Sequence, residues 1–207
     1  PPMADMWGYF LMMAAALAAA LTATGLKWKE PSLSLVGSGI VVATLASAYL
    51  AFEPDPRPLI PALQANRILT LHVSAMVLTY AFIAIAFAGA ALYLIVNFTG
   101  TTRLAVSAQR AYDIGHWAAM AALPLMTLGL ALGAWWANDA GGRYWGWDPK
   151  ETMSLVTWLI LVAYFHMQGL RRYRGTRAAW LLVAAFISIV FNMVGVNFWI
   201  SGLHSYA

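Results

Sequence analysis

The sequence contains no cysteine. This absence excludes disulfides, thiolate metal sites, iron–sulfur clusters and thiol–disulfide catalysis by the chain itself. A transition metal would have to be bound mainly through histidine, and the chain has only four histidines. Where these four residues lie therefore decides where a metal or haem site can be.

Charged residues are also scarce. They make up 10% of the 207 residues, whereas 62% are hydrophobic, and a soluble domain carries roughly a quarter of charged residues. Such a chain has too much apolar surface for one soluble core, so a lipid bilayer is its natural solvent. The net charge of +4 does not indicate nucleic acid binding, because the basic residues lie in short loops between apolar segments, where they set membrane topology.

Six apolar segments follow one another along the chain, at residues 7–26, 33–52, 68–98, 111–137, 152–170 and 178–200. Each is close to or above the roughly 20 residues that cross a hydrocarbon core as a helix. We predict an all-α integral membrane protein, a bundle of about six transmembrane helices that forms a single domain over residues 1–207. The chain begins at Pro1 without an initiator methionine, so we expect either processing or a fragment that lacks upstream helices.

The distribution of lysine and arginine predicts the orientation. Loops after the first, third and fifth segments carry eight basic residues, and the opposite side carries four. Because cytoplasmic loops are enriched in these residues, we expect the first set in the cytoplasm or stroma and both termini outside. The eight are Lys27, Lys29, Arg103, Arg110, Arg171, Arg172, Arg174 and Arg177, and the four are Arg57, Arg67, Arg143 and Lys150.

This topology sorts the histidines into two pairs, with each residue on a different helix. His72 lies near the outer end of the third segment, and His204 lies just past the outer end of the sixth. His116 lies near the inner end of the fourth segment, and His166 lies about 21 Å below Thr152 at 1.5 Å per residue. An ionisable residue inside the bilayer is costly and therefore indicates function, which makes His166 a candidate site residue.

A Trp-rich segment connects the fourth and fifth apolar segments on the predicted outer side. It contains four tryptophans and a tyrosine: Trp135, Trp136, Tyr144, Trp145 and Trp147. One interpretation is an aromatic belt at the membrane surface, where indole rings concentrate. The other is a surface for a flat apolar ligand of porphyrin size, because indoles stack on such a ligand with little entropy to lose. Belts usually spread over several helix ends, which favours the second interpretation.

Charged residues in the same segment have two interpretations as well. Asp148, Pro149 and Glu151 form the pattern of a helix N-cap, a first-turn proline and a capping-box glutamate, so they are predicted to begin the fifth helix. Arg143 and Lys150 are the cations available to bind haem propionates, arginine through its bidentate fork. Contact with lipid phosphate or water is the alternative for both.

These residues also carry a resemblance to a known family. The run Trp145-Gly-Trp-Asp-Pro-Lys-Glu-Thr152, followed by a helix with Trp158, Tyr164 and His166, is similar to the WWD motif of haem-handling cytochrome c biogenesis proteins, those of the CcsA/ResC type in particular. The surroundings of His72 (Leu-His-Val-Ser) and His204 (Leu-His-Ser-Tyr) resemble the family's segments around its two outer haem ligands. The resemblance covers the chain from about residue 58 to its end.

The resemblance implies a set of ligands. His72 and His204 would bind the iron of a haem b on the outer face, under Trp135, Trp136, Trp145 and Trp147. His166 would bind a second haem deeper in the membrane, and its second ligand is either His116 or a residue of a partner. Asn197, seven residues before His204, could orient that ligand or make an ordinary interhelical hydrogen bond.

The resemblance further implies a function in attaching haem to apocytochrome c. The client would supply the thiols, so we expect no nucleophile or general base in this chain, which would be a component of a holocytochrome c synthase. The implied partners are a CcsB/ResB-type membrane protein, apocytochrome c and thiol-reducing proteins, in a bacterial inner membrane or a thylakoid membrane. Alternatives are a haem-b electron-transfer subunit, a haem chaperone that passes haem to a separate carrier, and a membrane anchor without haem.

Two further features of the fourth segment are packing predictions. Pro124 indicates a kink, and the pair Gly129 and Gly133 indicates a face for close helix packing. Met76, Met126 and Met193 could in principle bind iron, but methionines in so apolar a chain are expected to pack.

Overall fold

The computed structural model describes residues 5–52, 67–101, 103–104 and 106–196. Within these residues the chain forms six α-helices and no strand. The helices are α1 (Met6–Trp28), α2 (Pro31–Ala51), α3 (Arg67–Thr99), α4 (Ala108–Gly141), α5 (Pro149–Gly169) and α6 (Thr176–Val190). A single 3-10 turn (Arg171–Tyr173) precedes α6, and a π-helix (Phe191–Gly195) follows it.

The prediction of an all-α membrane bundle is confirmed. Helices α1, α2, α3 and α4, and α6 together with its π-helix, are long and apolar enough to cross a membrane. Helix α5 is not among these spans, yet its 21 residues extend for about 31 Å at 1.5 Å per residue, which matches a hydrocarbon core. Side chains of α5 such as Trp158 and Gln168 form hydrogen bonds with α4, so polar groups of α5 are satisfied within the bundle.

Helix boundaries follow local capping chemistry. Asp5 begins α1 by accepting a hydrogen bond from the backbone of Gly8 at 2.7 Å, and Ser107 begins α4 by accepting from Arg110 at 3.2 Å. At the other ends, Lys29 and Gly142 adopt the left-handed conformation that terminates many helices. Helix α4 therefore runs four residues beyond its predicted end, from residue 137 to Gly141.

Helix α3 is the central helix and packs most tightly against α4. Their backbones meet at two glycines: a methyl group added to Gly89 would lie 2.6 Å from the backbone nitrogen of Gly115 and 2.8 Å from the carbonyl oxygen of Ala111. Small residues at such a point let two helices approach until backbone touches backbone. This contact fixes the position of α3 and α4, which carry two of the four histidines.

Several features singled out in the sequence lie at one end of the bundle. His72 in the second turn of α3 contacts Gly133 near the end of α4, and Asn192 in the π-helix lies 3.5 Å from the carbonyl oxygen of Lys150 in the first turn of α5. The connection between α4 and α5, residues 142–148, lies at this same end and is here called the Trp loop. We call this end of the bundle the Trp-loop end.

Candidate functional site

The Trp loop presents two indole rings at right angles. The ring centroids of Trp145 and Trp147 are 5.8 Å apart with an interplanar angle of 87°. Trp147 is 70% exposed and has a positive φ of 57°, a left-handed conformation that costs a bulky residue about 1–3 kcal/mol. The Trp loop therefore holds an exposed indole in a backbone conformation that bulky residues rarely adopt.

The carboxylate of Glu151 holds Trp147 in that conformation. One of its oxygens, Oε2, accepts hydrogen bonds from the backbone nitrogens of Gly146 at 2.8 Å and of Asp148 at 3.1 Å. These two nitrogens flank Trp147, so the backbone makes a tight turn at this residue and its side chain points outward. Glu151 was predicted only as part of a capping box; that capping box is present, but the bond to Gly146 shows that Glu151 also positions the loop.

We predict that Glu151→Ala loosens the Trp loop. The variant removes both hydrogen bonds, one of which (from the nitrogen of Asp148) is also half of the capping box, and each is worth about 1 kcal/mol, so trypsin should cut the detergent-solubilised protein after Arg143 faster than it cuts the wild type. Asp139→Ala, which removes an exposed acid in the last turn of α4, is the matched control and should leave the rate unchanged. Mass spectrometry of the fragments measures the cut; an unchanged rate in Glu151→Ala would show that the loop is held by other contacts.

The other loop residues proposed as ligand contacts have different surroundings. Asp148 is 7% exposed, and its carboxylate accepts from the backbone nitrogen of Lys150 at 2.9 Å, as predicted for an N-cap. Arg143 is exposed and its guanidinium lies over Gly146, and the Lys150 side chain is half-buried. The indole nitrogen of Trp145 is buried and, among the described residues, has no acceptor.

Trp135 and Trp136 belong to a helix and not to the loop. Because α4 continues to Gly141, both residues lie in its final turns, about one and a half turns below the loop. Trp135 is 55% exposed and Trp136 is half-buried. The predicted cluster of four tryptophans is therefore divided between a helix surface and a turn.

His72 is held against α4. Its Nδ1 lies 2.7 Å from the carbonyl oxygen of Gly129, and a methyl group added to Gly133 would lie 2.6 Å from its Cε1. The face formed by Gly129 and Gly133 was predicted for close helix packing; in the structure it accepts two side chains of α3, because Met76 occupies the corresponding position at Gly129. His204 and Asn197 lie outside the described residues, so their roles stay predictions.

His116 and His166 lie at the other end of the bundle but face different directions. The Nδ1 of His116 is 2.9 Å from the hydroxyl of Tyr164, which is fully buried between α4 and α5. His166 follows Tyr164 by two residues, about 200° around the helix, and it is exposed in the last turn of α5. His166 thus points away from the helix that carries His116, which favours a second ligand from a partner.

A buried polar cluster beneath the Trp loop was not predicted. The side-chain nitrogen of Asn192 donates to the hydroxyl of Ser154 at 3.0 Å and to that of Tyr80 at 3.1 Å, which joins α3, α5 and the π-helix. Asn192 is 4% exposed. Polar side chains inside a membrane act as interhelical links, and π-helices are frequent at functional sites. The signal available in the sequence was Asn192 itself, an amide side chain within an apolar segment.

Comparison with known proteins bears on what this arrangement is for. The family model described as cytochrome C assembly protein matches residues 4–204, which is nearly the whole chain and includes the Trp loop and all four histidines. The chain belongs to this family. The resemblance seen around the Trp loop and the histidines is thereby confirmed at the level of the family.

Individual relatives are described as cytochrome c biogenesis protein CcsA. Cytochrome c biogenesis protein CcsA of Guillardia theta is 36% identical over 212 residues, which cover 86% of this chain and 68% of the relative. CcsA of Gloeobacter violaceus is 52% identical over 83 residues, 40% of this chain and 25% of the relative. CcsA of Chlamydomonas reinhardtii is 36% identical over 159 residues, 72% of this chain and 43% of the relative. The matched part of this chain thus covers between about a quarter and two thirds of the length of each of these relatives.

Proposed function

We propose that this chain binds haem at its Trp-loop end and presents it to apocytochrome c for covalent attachment. The observation that carries the proposal is the Trp147 indole, which Glu151 holds in an exposed, left-handed turn. A preformed aromatic surface binds a flat ligand at low entropic cost, because the ring is ordered before binding. Family membership supports cytochrome c assembly as the context.

The residues around this surface fit a haem. Imidazole is a common axial ligand for haem iron, and His72 supplies one near the Trp loop. Arg143 and Lys150 provide cations for the two propionates. His204 is the proposed second axial ligand.

A second haem is proposed at the opposite end of the bundle, at His166. Its imidazole faces outward from α5 and away from α4, so the second ligand would come from another polypeptide. A membrane protein of the CcsB/ResB type is the proposed partner, and the exposed direction of His166 supports this. The membrane is proposed to be a bacterial inner membrane or a thylakoid membrane, with the Trp loop on the outer side and thiol-reducing proteins acting beforehand on the client.

Attachment requires thiols from the client and vinyl groups from the haem. In each addition a client cysteine S–H adds across a vinyl C=C: a carbon–sulfur bond forms, the proton goes to the other vinyl carbon, and there is no net oxidation. The chain has no cysteine to compete for the haem. Its proposed contribution is proximity and orientation, which can lower a barrier by as much as about 7–11 kcal/mol.

The test of the proposal is haem binding by the detergent-purified protein. We expect a b-type absorption spectrum, oxidised and reduced, and quenching of tryptophan fluorescence when haem is added to the haem-free form. Trp147→Ala should weaken haem binding by about two- to tenfold, the value of one aromatic contact. Trp180→Ala is the matched control, because Trp180 is similarly exposed at 53% but lies near the start of α6, away from the Trp loop. A wild type that neither carries nor takes up haem would make the Trp loop a membrane belt.

A further inference from the structure

The contact between the His72 ring and the backbone of α4 does more than pack the two helices together. The Nδ1–Cε1 edge of the ring lies against the helix backbone between Gly129 and Gly133, which are one turn apart. Nδ1 is 2.7 Å from the carbonyl oxygen of Gly129, and a methyl group on Gly133 would lie 2.8 Å from the same nitrogen. This edge of the ring is therefore in direct contact with backbone atoms of α4.

The hydrogen bond determines which nitrogen carries the proton. A carbonyl oxygen can only accept, so Nδ1 of His72 must be the donor. In a neutral imidazole the lone pair is then on Nε2. The same carbonyl oxygen can still accept the intrahelical hydrogen bond from the residue four positions later, because it has two lone pairs.

Glycine at position 133 makes this bond possible. In an α-helix each Cβ tilts towards the N-terminus, so a side chain at one position covers the carbonyl one turn earlier. A side chain at 133 would lie over the carbonyl of Gly129, where the His72 ring is found. Gly133 thus exposes a backbone acceptor that helices normally shield.

We infer that Gly133 and the Gly129 carbonyl are positioning residues that make Nε2 of His72 the iron-binding atom. This inference rests on the proposed haem site at the Trp-loop end. A hydrogen bond from Nδ1–H to a carbonyl fixes the ring of an iron-bound histidine and raises the basicity of its other nitrogen. The α4 backbone would in this way set both the direction and the strength of the ligand.

The first test needs no haem. In ¹⁵N-histidine-labelled protein in detergent, NMR should show His72 as the tautomer that is protonated on Nδ1 at neutral to alkaline pH. Four histidines make the spectrum simple, and the signal that disappears in His72→Gln identifies the residue. The tautomer protonated on Nε2 would overturn the inference, even if the protein binds haem by another arrangement.

The second test uses Gly133→Ala. The added methyl group should displace the ring, abolish the Nδ1-protonated signature of residue 72 and weaken haem binding by about 10- to 100-fold, as loss of an outer-shell partner does. Free imidazole should restore part of the spectrum. Gly141→Ala in the same helix is the matched control, since a methyl group there has no atom within 4 Å.

A variant of Met76 distinguishes a packing role of this helix contact from a positioning role. Its thioether fills the equivalent place at Gly129, so Met76→Ala loosens the same helix contact without touching the imidazole. We expect it to lower the unfolding temperature while the His72 tautomer and haem binding are kept. If Met76→Ala and Gly133→Ala reduce haem binding equally, the contact between His72 and α4 only packs the helices together. If the tautomer is as inferred and no variant or wild type binds haem, the proposed function fails while the geometry stands.

Discussion

Replacing His72 with alanine is expected to remove most of the haem bound at the Trp-loop end. The side chain is the described imidazole nearest the Trp loop, and its Nδ1 is anchored to the carbonyl oxygen of Gly129. Loss of the ligand itself should exceed the roughly 10- to 100-fold cost of losing an outer-shell partner. The measurement is the reduced-minus-oxidised absorption spectrum of protein purified with its haem. Added imidazole should restore the spectrum, because alanine leaves space beside Gly133.

The matched control for this prediction is His116→Ala. Both histidines are half-buried, and the Nδ1 of each lies within hydrogen-bond distance of an oxygen on another helix, that of Gly129 or of Tyr164. The two variants should therefore lose a similar amount of stability, about 1 kcal/mol per hydrogen bond, while only His72→Ala loses haem at the Trp-loop end. An equal loss in both would attribute the effect to unfolding. A full spectrum in His72→Ala would contradict the proposed ligand.

Local chemistry explains why much of the fold was predictable. The lengths of the apolar segments are sufficient to predict six helices, and the cap at Asp148 could be predicted because its hydrogen bonds join residues within three positions of one another. The boundary of α4 was less accurate. Its end depends on the left-handed Gly142, whereas the apolar run in the sequence is already interrupted by Asn138 and Asp139.

The direction in which a histidine faces was not predictable from depth alone. His116 and His166 were predicted at comparable depth and considered as a pair. The structure separates them because Tyr164 and Phe165, and not His166, are the α5 residues whose rings lie against His116. Which side of α5 faces α4 depends on packing along the whole helix, and α5 has no clear apolar face to reveal it. The pairing of His72 with His204 stays a prediction, because His204 lies outside the described residues.

The packing of helices at glycines was also only partly predictable from the sequence. The spacing of Gly129 and Gly133 predicted a face for close packing, and the structure has α3 side chains on that face. The closer approach of backbones occurs at Gly89 and Gly115, which belong to no such spaced pair within one helix. A contact between single glycines on two helices is a property of the pair, so neither helix shows it by itself.

Gly89→Ala is expected to have the largest effect on stability of any methyl-group addition in the bundle core. The added methyl group would lie 2.6 Å from the backbone nitrogen of Gly115 and 2.8 Å from the carbonyl oxygen of Ala111. Backbone atoms cannot rotate away as a side chain can, so α3 and α4 must separate along their main interface. We expect a loss of about 3 kcal/mol, the upper part of the range for overpacking, seen as a fall of about 6–12 °C in the unfolding midpoint of the detergent-solubilised protein.

Two other glycines give this prediction a graded scale. A methyl group on Gly115 would meet the carbonyl oxygen of Ala86 at 3.1 Å and the nitrogen of Ala90 at 3.3 Å, so Gly115→Ala should be destabilising but less severe. A methyl group on Gly39, exposed on α2, would meet nothing within 4 Å, and Gly39→Ala should be neutral or stabilising by up to about 1 kcal/mol through helix propensity. The unfolding midpoint should therefore be highest for Gly39→Ala, lower for Gly115→Ala and lowest for Gly89→Ala. If Gly89→Ala unfolds at the temperature of Gly39→Ala, the helices are not in backbone contact at this point, and the placement of His72 relative to α4 would have to depend on other contacts.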